Sequence, residues 1–268
     1  MDDRFIMNDD VKISLDEFEW AVFLYNNMES DEFYFDTLSD LEANKIDGKP
    51  GKTIVAFLNK WKTRVPNQFE NKIDDWYNET GYKLLETLKS KSIDNVDLED
   101  DKVKEAIKEL YTSLSDLQTD IKGNKGTIKR KLGKVAAGKA LHILIPELFV
   151  AWDNPISEHY GIKNNENETS AGYIEFLRKM KCLALKIRLL REDEEKFLSK
   201  HLLYIQENHK KVLKSEAENK INLEMENKGI DFLSIKEKTL AKFLDEYNWI
   251  AFTMKVELPP KWYPNKKS

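Results

Sequence analysis

Lys139 and Asp153 stand fourteen positions apart in the stretch Lys122–Gly161 and offer an amine and a carboxylate to the same short piece of chain. A carboxylate held close to a lysine whose stem is shielded by Leu141, Ile143 and Phe149 is a usable catalytic pair. Asp153 precedes Asn154-Pro155, where a helix N-cap belongs, and the spacing predicts a short helix through Ile156, His159 and Tyr160 to Gly161. Each residue also has an ordinary reading. Asp153 can be a cap alone, Lys139 a solvated lysine, and His142, one turn after Lys139, a packed histidine.

The eighteen residues ending at Lys139 carry Lys122, Lys125, Lys129, Arg130, Lys131, Lys134 and Lys139 with no Asp or Glu, in a chain of formal net charge −5. This local reversal of sign suits phosphate, or else a solvated helix face. Gly133 and Gly138 permit positive φ or close backbone approach, which a tight turn between helices needs and which exposes bare N–H groups to an anion.

With Leu132-Gly133-Lys134-Val135-Ala136-Ala137-Gly138 ahead of Lys139, and an apolar-Asp-polar step at Asp153 into a further helix, the stretch resembles the helix-hairpin-helix DNA glycosylases. The resemblance covers about forty of the 268 residues. It implies that the hairpin binds duplex DNA, that Lys139 attacks the sugar C1′, and that Asp153 activates the nucleophile or stabilises the sugar cation. It also implies that Lys122, Lys125, Lys129, Arg130, Lys131, Gly133, Lys134 and Gly138 contact DNA, with Trp152 and His142 beside the base.

The elements that must position these residues are helical. Hydrophobic residues make up 41% and aromatics 11%, enough for a substantial core beneath a surface whose charged fraction is 34%. A single cysteine, Cys182, excludes a disulfide framework and a four-cysteine iron–sulfur loop, so no cofactor is expected. Histidines 142, 159, 201 and 209 lack zinc-like spacing, and no metal site is expected. No apolar run approaches the length of a membrane span, and the acidic start MDDRFIMNDD is unlike a secretory leader; a cytoplasmic monomer without membrane attachment is the expectation.

Along the chain, Ser14 and Glu17 form a capping box before a strongly apolar helix, and Phe33-Tyr34-Phe35 offers either packing or stacking surface. Gly48-Lys49-Pro50-Gly51-Lys52-Thr53 ends like a phosphate loop, but Ile46 stands where its first glycine belongs. It reads better as a loop into the helix Ile54–Trp61, which Pro66 would stop. A helical run from Phe69 to Leu88 should break near Gly81, and the polar segment Ser90–Asp101 reads as a surface boundary. Helices are expected again from Val103 to Leu117, Tyr173 to Leu190, Glu194 to Leu213 and Ile235 to Ile250, before an extended tail containing Trp262. No alternating strands are evident.

The predicted fold is all-α, about ten helices in two lobes with a cleft, as in the glycosylases. Residues 1–95 form one lobe, joined by the C-terminal helices 230–268, and residues 96–229 form the other. The expected function is base flipping and excision on DNA, in repair or anti-phage defence. A non-catalytic nucleic-acid-binding module and a helical interaction subunit of a bacterial defence system remain as alternatives; the first needs the lysines but not Asp153, the second neither.

Overall fold

The computed structural model describes residues 15–29, 31–123, 126–162, 170–191, 238–256 and 258. Expectations placed on Ser14, Lys125, His201, His209, the 194–213 helix and the tail around Trp262 fall outside them. The described residues form a largely all-α structure with one small two-stranded sheet.

Helix α1 (Leu15–Met28) leads into α2 (Glu32–Ile46) and α3 (Gly51–Lys60). Ile54, Phe57 and Leu58 of α3 recur at three and four, and this face packs on Phe69, Ile73 and Trp76 of α4 (Phe69–Trp76). Glycine at position 51 is what lets these helices meet. A Cβ there would stand 2.1 Å from the Glu70 carbonyl oxygen, and the Gly51 N–H donates to the Asp74 carboxylate at 2.6 Å. The Gly-Lys-Thr sequence is thereby accounted for by helix packing.

The expected break near Gly81 is a widened turn, Tyr77–Gly81, that carries α4 into α5 (Tyr82–Leu88). It wraps the Trp76 indole, whose ring would lie 2.9 Å from a Cβ at Gly81. The segment after α5 is polar but is not a free surface loop. Ile93, Val96 and Leu98 are buried, and the Ile93 N–H donates to the Glu147 carbonyl at 2.9 Å. Asp100 then caps α6 (Asp101–Ser115) by accepting from the Lys102 and Val103 N–H groups.

After α6 the structure departs from expectation. The basic run is not a turn between helices: β1 (Gln118–Gly123) pairs antiparallel with β2 (Gly126–Lys131), Gly123 opposite Gly126 and Gln118 opposite Lys131. A two-residue connection flanked by glycines is a strong hairpin signal. The strands leave no apolar alternation in the sequence because β2 is exposed at every position.

Gly133, at φ 87°, turns the chain out of β2 into α7 (Lys134–Leu144). The order closes with α8 (Asn154–His159), α9 (Ser170–Arg191) and α10 (Leu240–Asn248), the last running on through a wide turn at Trp249–Thr253. Helix α10 packs against both α1 and α9. The buried apolar residues from α1 to α10 form one continuous cluster.

Candidate active site

Where α1, α2, the end of α3, α7, the strand-like entry to α8 and α10 converge, they leave a pocket of about 780 Å³, counting its open mouth. Tyr25, Phe33, Tyr34, Trp61 and Trp249 give it aromatic walls, and Lys139, Asp153 and Asp245 bring charge into it. Flat apolar walls with a few convergent polar groups are the make-up of a small-molecule site.

Lys139 points from the middle of α7, a helix otherwise packed into the core through Ala136, Ala137, Ala140 and Leu141. Its amine donates to the Trp61 carbonyl at 2.9 Å and lies 5.7 Å from the centre of the Trp61 ring. As the C-cap of α3, Trp61 holds that carbonyl beyond the helical ladder, where it also accepts from the Thr63 hydroxyl at 3.4 Å. Burial pushes the Lys139 amine below the usual lysine range; Asp245 and Asp153 pull it back up, and Lys62 adds to the depression. A lysine on this side of its ordinary range is a better nucleophile near neutral pH.

Asp153 does both things its position allows. One oxygen accepts from the Ile156 N–H at 3.1 Å and so caps α8, and the other accepts from the Thr253 hydroxyl at 2.8 Å. The carboxylate is therefore fixed by two donors from separate elements while it lines the pocket with Lys139.

Behind the aromatic wall lies a cluster of buried charges that the sequence did not announce. Lys242 of α10 is fully buried with its amine 4.3, 4.8 and 5.1 Å from the ring centres of Tyr25, Tyr34 and Trp61. It lies 3.3 Å from Asp245 and 3.5 Å from Glu246, while Lys238 bonds Glu246 at 2.7 Å and pairs with Asp31. Burial works to lower the Lys242 amine, but Tyr25, Glu246 and Asp245 outweigh it and hold it well above the ordinary range. Burial raises the Glu246 carboxyl against the opposing pull of Lys242 and Lys238. Residues 241–248 are all buried, so nothing in the amphipathic spacing singled out Asp245.

The structure brings Lys139, Asp153 and Trp152 to the same pocket and keeps other candidates out of it. His142 is not a lining residue: it is fully buried, with Nδ1 2.7 Å from the Phe149 carbonyl and Nε2 3.3 Å from the Tyr34 hydroxyl, and burial lowers its proton affinity. It supports the wall from behind. Gly138 is not available to phosphate either. It is buried within α7, and a Cβ there would stand 2.8 Å from the Trp152 indole, so its small size seats that ring. Of the aromatic triplet, Phe33 and Tyr34 line the pocket, a part of the site that the sequence did signal.

Lys122, Lys129, Arg130 and Lys131 are exposed on the β-hairpin, and Lys134 is half-buried at the start of α7. Lys131 is paired with Asp116 at 2.7 Å, and Lys129 lies opposite Asp120 in the register. Arg130 reaches across to donate to the Arg64 carbonyl at 2.8 Å. This contact ties the hairpin to the loop after α3, where Lys62 and Arg64 adopt positive φ of 59° and 55° and Lys60 and Lys62 reach the pocket's edge. Helix α3 thus ends at Lys60, well before Pro66, in a strained loop of the kind found at functional sites. Basic side chains run from β2 by way of this loop to the mouth.

Among the described residues, no group of three or more His, Cys, Asp or Glu is arranged to hold a metal, and no helix is long and apolar enough to cross a membrane. No family model matches the sequence, and no curated protein or solved structure matches the chain.

Proposed function

We propose that the protein is a DNA glycosylase-like enzyme that draws a single nucleotide into the aromatic pocket and cleaves its base–sugar bond, with Lys139 as nucleophile and Asp153 as electrostatic stabiliser. The observation that carries this reading is the convergence of Lys139 and Asp153 on one aromatic-walled pocket. Flat walls suit a flipped base, which stacks between aromatic side chains. The Lys139 lone pair forms the C1′–N bond as the C1′–base bond breaks with its electron pair passing to the base. The departing base anion takes up a proton from solvent, and the lysine nitrogen gives one up to become a neutral secondary amine. The fixed Asp153 carboxylate faces the positive charge that develops on the sugar, and a preorganised charge in a pocket does this better than solvent can.

The DNA backbone meets the β-ribbon and the loop after α3 in place of a helical hairpin. A two-stranded ribbon is narrow enough to enter the major groove, and the exposed basic residues of β2 can neutralise phosphates from there. Affinity for duplex DNA is expected to fall steeply with salt as counterions are released. Replacing Lys129, Arg130 and Lys131 with Ala should flatten that dependence by up to about three units of slope, at roughly 0.9 per lost contact. Titrations at several salt concentrations check it; binding indifferent to all three changes would remove the hairpin from the interface.

A further inference from the structure

We propose that Asp245 is the carboxylate that takes the proton from Lys139 as its amine becomes the nucleophile, leaving Asp153 to face the sugar. The proposal rests on the glycosylase reading for the reaction, though the placing of both side chains on one pocket does not depend on it.

Asp245 lines the same pocket as Lys139 although only 5% of it is exposed. Its Oδ2 faces the Lys242 amine at 3.3 Å, and its Oδ1 accepts nothing from the described residues. Lys242 is itself fixed, donating to the Tyr25 hydroxyl at 3.1 Å inside its cage of rings. The result is a carboxylate pinned at one oxygen with the other free to accept. Asp153 is more committed, with each of its oxygens already accepting one hydrogen bond. Among the charges around Lys139, Asp245 attracts the amine more strongly than Asp153 does, and Lys62 opposes both. Around Asp245 itself stand Lys242, His142, Tyr25, Tyr34 and Tyr173, and burial holds each of these tyrosines well above its ordinary range.

The proton balance closes. As the Lys139 nitrogen bonds to C1′ it becomes a charged secondary amine and passes one proton to Asp245 Oδ1. Protonated Asp245 then returns that proton to the ring oxygen O4′ when the sugar opens to the Schiff base, so the carboxylate is regenerated.

Two readouts on the full-length protein test this. The first needs no DNA: reductive methylation of Lys139 with formaldehyde, followed by peptide mass spectrometry across pH. Asp245 attracts the ammonium form, so Asp245→Asn should move the midpoint for Lys139 to lower pH, and by more than Asp153→Asn does. The second is the rate at which borohydride traps a protein–DNA adduct. If Asp245 were only a counter-charge, the variant's larger neutral fraction would speed trapping; as proton acceptor its loss should slow trapping about a hundredfold. Should Asp245→Asn fail to fold, Asp245→Glu keeps the charge one methylene away, and it should keep the midpoint near the parent's while still slowing trapping. An unmoved midpoint, or trapping as fast as the parent's in either variant, overturns the proposal. A parent that forms no adduct with any DNA overturns the glycosylase reading and the proton transfer with it, while the methylation midpoints still decide whether Asp245 faces Lys139.

Discussion

Asp153→Asn is expected to reduce base release from DNA by a factor of about a hundred or more, the usual effect of deleting one preorganised electrostatic stabiliser. The substitution is nearly silent for the fold. Asn caps a helix about as well as Asp, so its side-chain oxygen can still accept from the Ile156 N–H, and its amide can donate to the Thr253 hydroxyl oxygen that now donates to Asp153. Charge alone is removed. Thermal melting should move by no more than a degree or two, DNA affinity should persist, and only the rate of base release should collapse. A comparable loss of melting temperature and rate would mean that Asp153 acts through structure.

Lys242→Met should be among the most destabilising single changes in the protein. The amine stands among Tyr25, Asp245 and Glu246 with no exposure to solvent, and its removal leaves the buried carboxylates facing only Lys238. Breaking a buried ion pair from one side costs about 3–5 kcal/mol, because the remaining charge is left uncompensated. The sign of the pH dependence follows from Glu246. Its carboxyl is raised in the folded state, so the stability it contributes is present below its unfolded value of 4.5 and is lost as pH rises through the folded value. Lys242 is one of the charges holding that folded value down, and without it the value climbs further. Denaturant titrations of the variant should therefore show stability falling with rising pH, over a wider window above pH 4.5 than in the parent. A variant as stable as the parent at neutral pH would show that the cluster is hydrated or already neutral.

What could be read in the sequence was local. Asp153 before Asn154-Pro155 carries the signature of a cap within four residues, and Lys139 stands in the helix just upstream, so the pair was legible from one short stretch. The apolar spacing of α3, α4 and α6 was legible for the same reason. Asp245 was not, since α10 follows Lys139 by about a hundred residues and only packing against α1 and α9 carries it to the pocket. Gly138 was misread because one glycine next to a lysine looks the same whether it admits a phosphate or an indole. The ribbon was hidden by exposure: Ile128 is 62% exposed, and a strand with no buried face leaves no period-two trace.

Whether Lys139 is a nucleophile within the pocket is measured directly by borohydride trapping on DNA, with cellular and modified phage DNA as substrates, followed by peptide mapping of the adduct. The expected result is a covalent protein–DNA species whose attachment maps to Lys139. Burial depresses the amine, so trapping should rise with pH to a midpoint below the ordinary lysine value of 10.5, and Lys139→Gln should abolish it. No adduct and no free base from any such DNA, or an adduct that survives Lys139→Gln, would contradict it.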